Sequence, residues 1–184
     1  MKLPPSFFKQ DAVTVAKNLL GKIIKYNACS GMIVETEAYQ DDPASHAFKR
    51  TKRSEIMYAS YAHWYIYFIY GMYHCLNITT NGIDTPGAVL IRALQPLEGI
   101  ETMKKRRKND NIYNLCSGPG KICTALSIDK SHNATKINEK IGIYDYKIIL
   151  EKDIVKTRRV GISSAADLEW RFYVKGSKFV SRPN

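Results

Sequence analysis

At 184 residues with 45% hydrophobic content, the chain can bury one sizeable core and has little room for a second unit, so a single domain over 1–184 is expected. Lys+Arg 28 against Asp+Glu 17 gives a net charge of +11, a field that draws polyanions and contacts their phosphates; a merely soluble basic protein is the bland alternative. Cys29, Cys75, Cys116 and Cys123 match neither a C-x-x-C zinc site nor a disulfide-dense scaffold, and no run approaches the ~20 apolar residues of a membrane span, so a soluble, cytoplasmic protein with reduced thiols is expected.

Asp11 is placed to cap a helix through Leu20, with Ala12, Val13, Ala16, Leu19 and Leu20 as its apolar face and Gly21 as its stop. Lys22 to Tyr26 and Met32 to Glu37 read as strands joined through Asn27–Gly31. Asp41 to Arg53, polar and broken by Pro43, reads as a loop behind a carboxylate-bearing strand, where sites are commonly built. The run from Trp64 to Asn77 predicts a protruding aromatic hairpin that turns at Gly71. Tyr70 then falls at the tip, where burial does not account for it, and in a basic protein it reads as a wedge between stacked bases.

Ala88 to Leu94 resembles a buried strand and Leu97 to Lys108 a helix ending in the basic run Lys104–Lys108. That run, with Lys105 and Arg106 at its centre, is either a solvated helix end or a set of phosphate contacts. Ser117-Gly-Pro-Gly120 feeds a short helix through Leu126 and would aim free N–H groups and Lys121 at an anion. The tail alternates strands and loops at Ile143–Leu150, Val155–Ile162 and Trp170–Val174. The sum is an α+β fold with a mainly antiparallel curved sheet and peripheral helices.

In Val34-Glu-Thr-Glu-Ala-Tyr39 the two glutamates share one face of a strand, roughly 6–7 Å apart, with Met32, Val34 and Thr36 expected on the other. Such a pair either raises each other's pKa or is matched by cations, the setting of a general base; a solvated edge face is the alternative. Arg92 stands alone in an apolar strand, where an unpaired charge is costly, so it needs a carboxylate or phosphate partner, and Glu37 is a candidate. Tyr65 and Tyr67 share the strand face opposite Trp64, Ile66 and Phe68 and suit either a pocket for a flat ligand or ordinary packing. His46 is open between metal ligand, general acid and loop residue, and no H-x-E with C-x-x-C accompanies it.

Val34-Glu-Thr-Glu-Ala-Tyr39, Tyr65-Ile-Tyr-Phe-Ile-Tyr-Gly-Met-Tyr-His-Cys-Leu-Asn77, Leu90-Ile-Arg-Ala-Leu-Gln-Pro-Leu-Glu-Gly99 and Leu115-Cys-Ser-Gly-Pro-Gly-Lys121 together closely resemble the alkyladenine (3-methyladenine) DNA glycosylase family, nearly end to end. The resemblance implies a monomeric α+β repair enzyme, without metal or cofactor, that flips a damaged purine out of double-stranded DNA and hydrolyses its N-glycosidic bond. It implies that Glu37 activates water and that Arg92 sits beside it. Tyr39, His46 and Tyr67 would sandwich the base, Asn77 would stand at the pocket floor, and Tyr70 would fill the gap in the duplex. Ser54 departs from the family's usual Asn, and Tyr58–His63 from its Gly/Pro-rich loop. No lysine clearly belongs to the pocket motif, which argues against Schiff-base chemistry. Two rival readings are a non-catalytic nucleic-acid binder and a metal-dependent nuclease using Glu35, Glu37 and His46.

Overall fold

The first helix, α1 (Ala12–Leu19), begins where the Asp11 carboxylate accepts the Thr14 N–H at 3.0 Å, a cap worth about 1 kcal/mol. It buries Ala12, Val15, Ala16 and Leu19 on one face. The chain then turns at Gly21, whose φ of +82° and closeness to the Lys147 carbonyl, 2.7 Å from where a Cβ would stand, admit only glycine. The computed structural model describes residues 1–69 and 71–182.

Eight antiparallel strands form one sheet: β1 (Ile23–Tyr26), β2 (Cys29–Tyr39), β3 (Trp64–Ile69), β4 (Tyr73–Thr79), β5 (Ala88–Glu98), β6 (Gly142–Tyr144), β7 (Ile154–Thr157) and β8 (Arg171–Val174). The order is β3-β4-β5-β2-β1-β6. Strand β2 is long enough to pair with β1 through its first residues and with β8 at Glu35–Glu37, while β5 lies along its other edge. The main core lies between the sheet and α1, α3 (Ile100–Arg107) and α4 (Pro119–Leu126), around the fully buried Trp64, Phe172 and Leu76. A further helix, α2 (Glu55–Ala59), places Met57 in a satellite cluster with Tyr65 and Ala47.

Several boundaries depart from the sequence reading. β1 and β2 are joined by Asn27-Ala28 alone, so Ser30 and Gly31 belong to the ladder and not to a connector. β5 continues to Glu98, and α3 begins only after Gly99 in a left-handed conformation. The strand expected over Ile143–Leu150 stops at Tyr144 because Lys147 N–H turns to Gly21 O. The strand expected over Val155–Ile162 stops at Thr157, after which Arg159 turns inward.

The largest correction concerns the face of β2. Ile33 joins the core on the α1 side and Thr36 donates to Ala16 O at 2.8 Å, so two residues three apart reach the same side. Strict alternation forbids this. The pairing with β5 runs Ile33↔Leu94, Glu35↔Ala93, Thr36↔Ile91, leaving Val34 on one strand and Arg92 on the other without a partner. These are two bulges that cancel. Met32 and Val34 therefore pack with Ala93 and Phe179 on the side that carries the glutamates, and of the three residues expected opposite them only Thr36 faces away.

Candidate active site

One row of directly opposed residues crosses five strands: Tyr65 on β3, Asn77 on β4, Leu90 on β5, Glu37 on β2 and Arg171 on β8. Opposed residues share a face, and Tyr65, Asn77 and Leu90 of this row line a cavity of about 560 Å³. Its wall includes Tyr39, His46, Tyr65, Tyr67, Cys75, Asn77, Leu90, Arg92, Val160, Lys121 and Arg182. The structure thus brings Tyr39, His46, Tyr67, Asn77, Arg92 and Lys121 to one concavity, with Glu37 immediately behind it.

Glu37 is fully buried. Its Oε2 accepts from the Tyr39 hydroxyl at 2.8 Å and Arg92 Nη1 at 3.2 Å, and its Oε1 accepts the Val160 N–H at 2.7 Å. All three donors line the cavity. A carboxylate has about four acceptor sites, so three are spent on orientation and one is free for a further donor. Burial, and then the charge of Glu37, push the Tyr39 hydroxyl above its usual range, so it stays a donor.

Arg92 finds the carboxylate partner that its position demands, and finds two. Nε donates to Glu35 at 3.1 Å and Nη1 to Glu37. Burial opposes its charge, but Glu37 and Glu35 outweigh burial and hold the guanidinium above its ordinary value. Arg171 Nε donates to Glu35 at 2.7 Å, so two carboxylates face two guanidiniums in one buried, charge-balanced group. Arg171 was missed, although it is a charge inside the apolar run Arg171-Phe-Tyr-Val174 and carries the same signal as Arg92. A second buried pair, Arg159 with Asp42 at 2.7 Å, places its guanidinium 4.7 Å from the Tyr39 ring centre and supports that ring from behind.

The opposite wall is aromatic. Ser45 Oγ accepts the Ala47 N–H and starts the short helical turn His46–Phe48, which presents the imidazole. His46 Nδ1 lies 2.7 Å from the Tyr65 hydroxyl and the ring is 4.9 Å from Tyr67; Tyr65 and Tyr67 are 5.2 Å apart. Burial, with Arg53 nearby, lowers the His46 pKa, so the imidazole is neutral at pH 7. Burial likewise raises the Tyr65, Tyr67 and Cys75 pKa values, leaving this wall uncharged. Asn77 Nδ2 donates to the Tyr65 and Cys75 carbonyls at 3.1 and 3.3 Å, which fixes the amide at the base of the wall.

The cations separate. Lys121 reaches the cavity from the first turn of α4, donating to Asn114 Oδ1 and Ser117 Oγ, so a lysine does stand at the wall. Burial and Arg107 lower its pKa. Lys105 is exposed on α3, whereas Arg106 donates to Ala125 O at 2.9 Å and so ties α3 to the end of α4. Neither lines the cavity; their neighbour Arg107 does. Tyr70, the expected wedge, lies outside the described residues. The flanking hairpin residues Phe68, Met72 and Tyr73 are exposed, and Tyr73 packs against the backbone of Gly120, where an added Cβ would meet its ring at 2.8 Å.

The sequence matches the Methylpurine-DNA glycosylase (MPG) family over residues 6–178. It is 46% identical to a protein of Clostridium perfringens (strain 13 / Type A) that bears the name "Putative 3-methyladenine DNA glycosylase", over 99% of this chain and 100% of that one. Proteins of the same name match at 42% in Methanoculleus marisnigri, over 99% and 100%, and at 44% in Francisella tularensis subsp. tularensis, over 92% and 93%. Agreement over the full length, across motifs that fold into one buried network beside one cavity, places this chain in the methylpurine-DNA glycosylase family.

Proposed function

We propose that the protein turns an alkylated purine of the 3-methyladenine type out of duplex DNA into this cavity and hydrolyses its N-glycosidic bond, leaving an abasic site. The observation that carries the reading is Glu37: a buried carboxylate held by three cavity-wall donors with acceptor capacity to spare. A base within a duplex is unreachable, so extrusion is offset by stacking in the pocket, for which Tyr39 and the His46–Tyr67 pair supply flat faces. Tyr70 is the candidate to fill the space vacated in the duplex.

The chemistry needs one carboxylate. A 3-methylated adenine is already cationic, so cleavage of the bond to C1′ sends the electron pair to the base, which leaves neutral, while positive charge develops on the sugar. Glu37 stabilises that charge and takes the proton of the attacking water. Electron-rich rings attract the cationic base before cleavage. Lys105, Arg106 and Lys121 are the candidates for phosphate contact, and Arg106 also donates to Ala125 O, which ties α3 to the end of α4.

The test is incubation with duplex DNA carrying a methylated adenine, in EDTA, with chromatography for the free base. Release of base, with strand breakage only after alkali and no borohydride-trapped adduct at Lys121, supports a monofunctional hydrolase. Strand breaks that require a divalent ion support the nuclease, and binding without release supports the bare binding module.

A further inference from the structure

Resting on that reading, we propose that segment 177–182 is a positioning element for the reaction, in which Ser181 and Glu35 together fix Arg92, and through it Glu37. Glu35 is fully buried and does not line the cavity, yet it is the most heavily bonded carboxylate of the site. Its Oε2 accepts the Ser181 N–H at 2.5 Å; its Oε1 accepts the Ser181 hydroxyl at 2.8 Å, Arg171 Nε at 2.7 Å and Arg92 Nε at 3.1 Å. The Ser181 hydroxyl also accepts from Arg92 Nη2 at 3.3 Å. Each nitrogen of the Arg92 guanidinium thus has its own partner: Glu35, Glu37 and Ser181.

That division of donors matters because a guanidinium is a rigid planar fork that prefers to take a carboxylate with two parallel bonds. Left to itself, Arg92 would pair with both Glu37 oxygens and occupy the acceptor site that water needs. Glu35 and Ser181 each hold one side of the fork, so a single nitrogen reaches Glu37. The segment is seated for this task. Phe179 packs with Met32 and Val34, Val180 is buried, and Arg171 Nη2 donates to the Arg182 carbonyl.

The experiment compares Ser181→Ala and Ser181→Thr in single-turnover base release from duplex DNA. Loss of a hydrogen bond to a charged group is expected to slow Ser181→Ala about tenfold with DNA affinity unchanged and the protein still folded at the assay temperature, while Ser181→Thr, which keeps the hydroxyl, stays within about twofold of the parent. In an Arg92→Lys background Ser181→Ala should cost less than about twofold more, because its effect travels through Arg92. The proposal is overturned if Ser181→Ala releases base as fast as the parent, if Ser181→Thr is as slow as Ser181→Ala, or if the loss is undiminished in the Arg92→Lys background. Absence of release by the parent protein itself would instead defeat the proposed function.

Discussion

The two walls of the cavity are held by different means. On the polar wall, Glu37 has three donors from β2, β5 and the segment after β7, and Arg92 in front of it is fixed on three sides. On the aromatic wall, His46, Tyr65 and Tyr67 are joined by one hydrogen bond and by ring contacts of 4.9 to 6.1 Å, and nothing there is charged at pH 7. The first arrangement holds charged groups in fixed directions, and the second offers only shape and polarisability to whatever enters. Changes to the polar wall should therefore lower the rate for every lesion, and changes to the aromatic wall should alter the ratio between lesions.

The largest effect tests the polar wall directly. Glu37→Gln should reduce single-turnover base release by about 10³-fold, the reach of a general base, with DNA affinity nearly intact because the lost charge acts in the transition state. Release within about tenfold of the parent would remove Glu37 from the chemistry. Tyr39→Phe spans the contrast, since Tyr39 lines the cavity and its hydroxyl donates to Glu37. A loss of about tenfold, equal for adenine and guanine lesions, assigns the effect to the hydroxyl; a loss that differs between lesions moves Tyr39 to the aromatic wall.

The aromatic wall should respond to acid. The His46 pKa lies below its ordinary 6.5 in the folded protein, so the unfolded chain binds the proton first. The stability that a neutral His46 contributes is present above 6.5 and is lost as pH falls through the lowered folded value. A protonated imidazole would also repel a cationic base. His46→Asn should flatten the fall in thermal midpoint, and in release of 3-methyladenine, between about pH 6.5 and pH 5; an unaltered acid limb would assign that limb to another group. The smallest effect concerns Asn77, where the amide is expected to exclude the exocyclic amino group of guanine. Asn77→Ser should raise guanine-to-adenine selectivity by roughly three- to tenfold in matched duplexes, and a constant ratio would leave Asn77 as a bracket between β3 and β4.

The parts of this site that follow from composition and alternation were legible in the sequence. Tyr65 and Tyr67 were placed on the pocket face by period two, and Arg92 was given a carboxylate partner because an unpaired charge in an apolar strand is costly. What was not legible depended on irregular backbone. Alternation sent Val34 to the wrong face because no residue type announces a bulge. Arg159 was read as part of a strand, and Val160 offered no side-chain signal because its contribution is a main-chain N–H. Ser181 meets Glu35 across 146 residues of sequence, a pairing that only tertiary packing reveals. Arg106 and Arg107 show the converse: a basic run at a helix end looks uniform in sequence, yet these two members of it donate to the Ala125 and Leu115 carbonyls.

The paired bulges make two residues of the central strand pair separable from its register. Without Val34 and Arg92, Ile33 would still face Leu94, Glu35 would face Ala93 and Thr36 would face Ile91, in an unbroken ladder with each side chain already on its correct side. Loss of either residue alone would slip one half of the central strand pair past the other and turn a core face toward solvent. The arginine of the proposed chemistry thus occupies a bulge whose effect on the register Val34 cancels. A scaffold with both removed together should keep its register while losing the guanidinium beside Glu37, which separates the fold's integrity from the proposed reactivity.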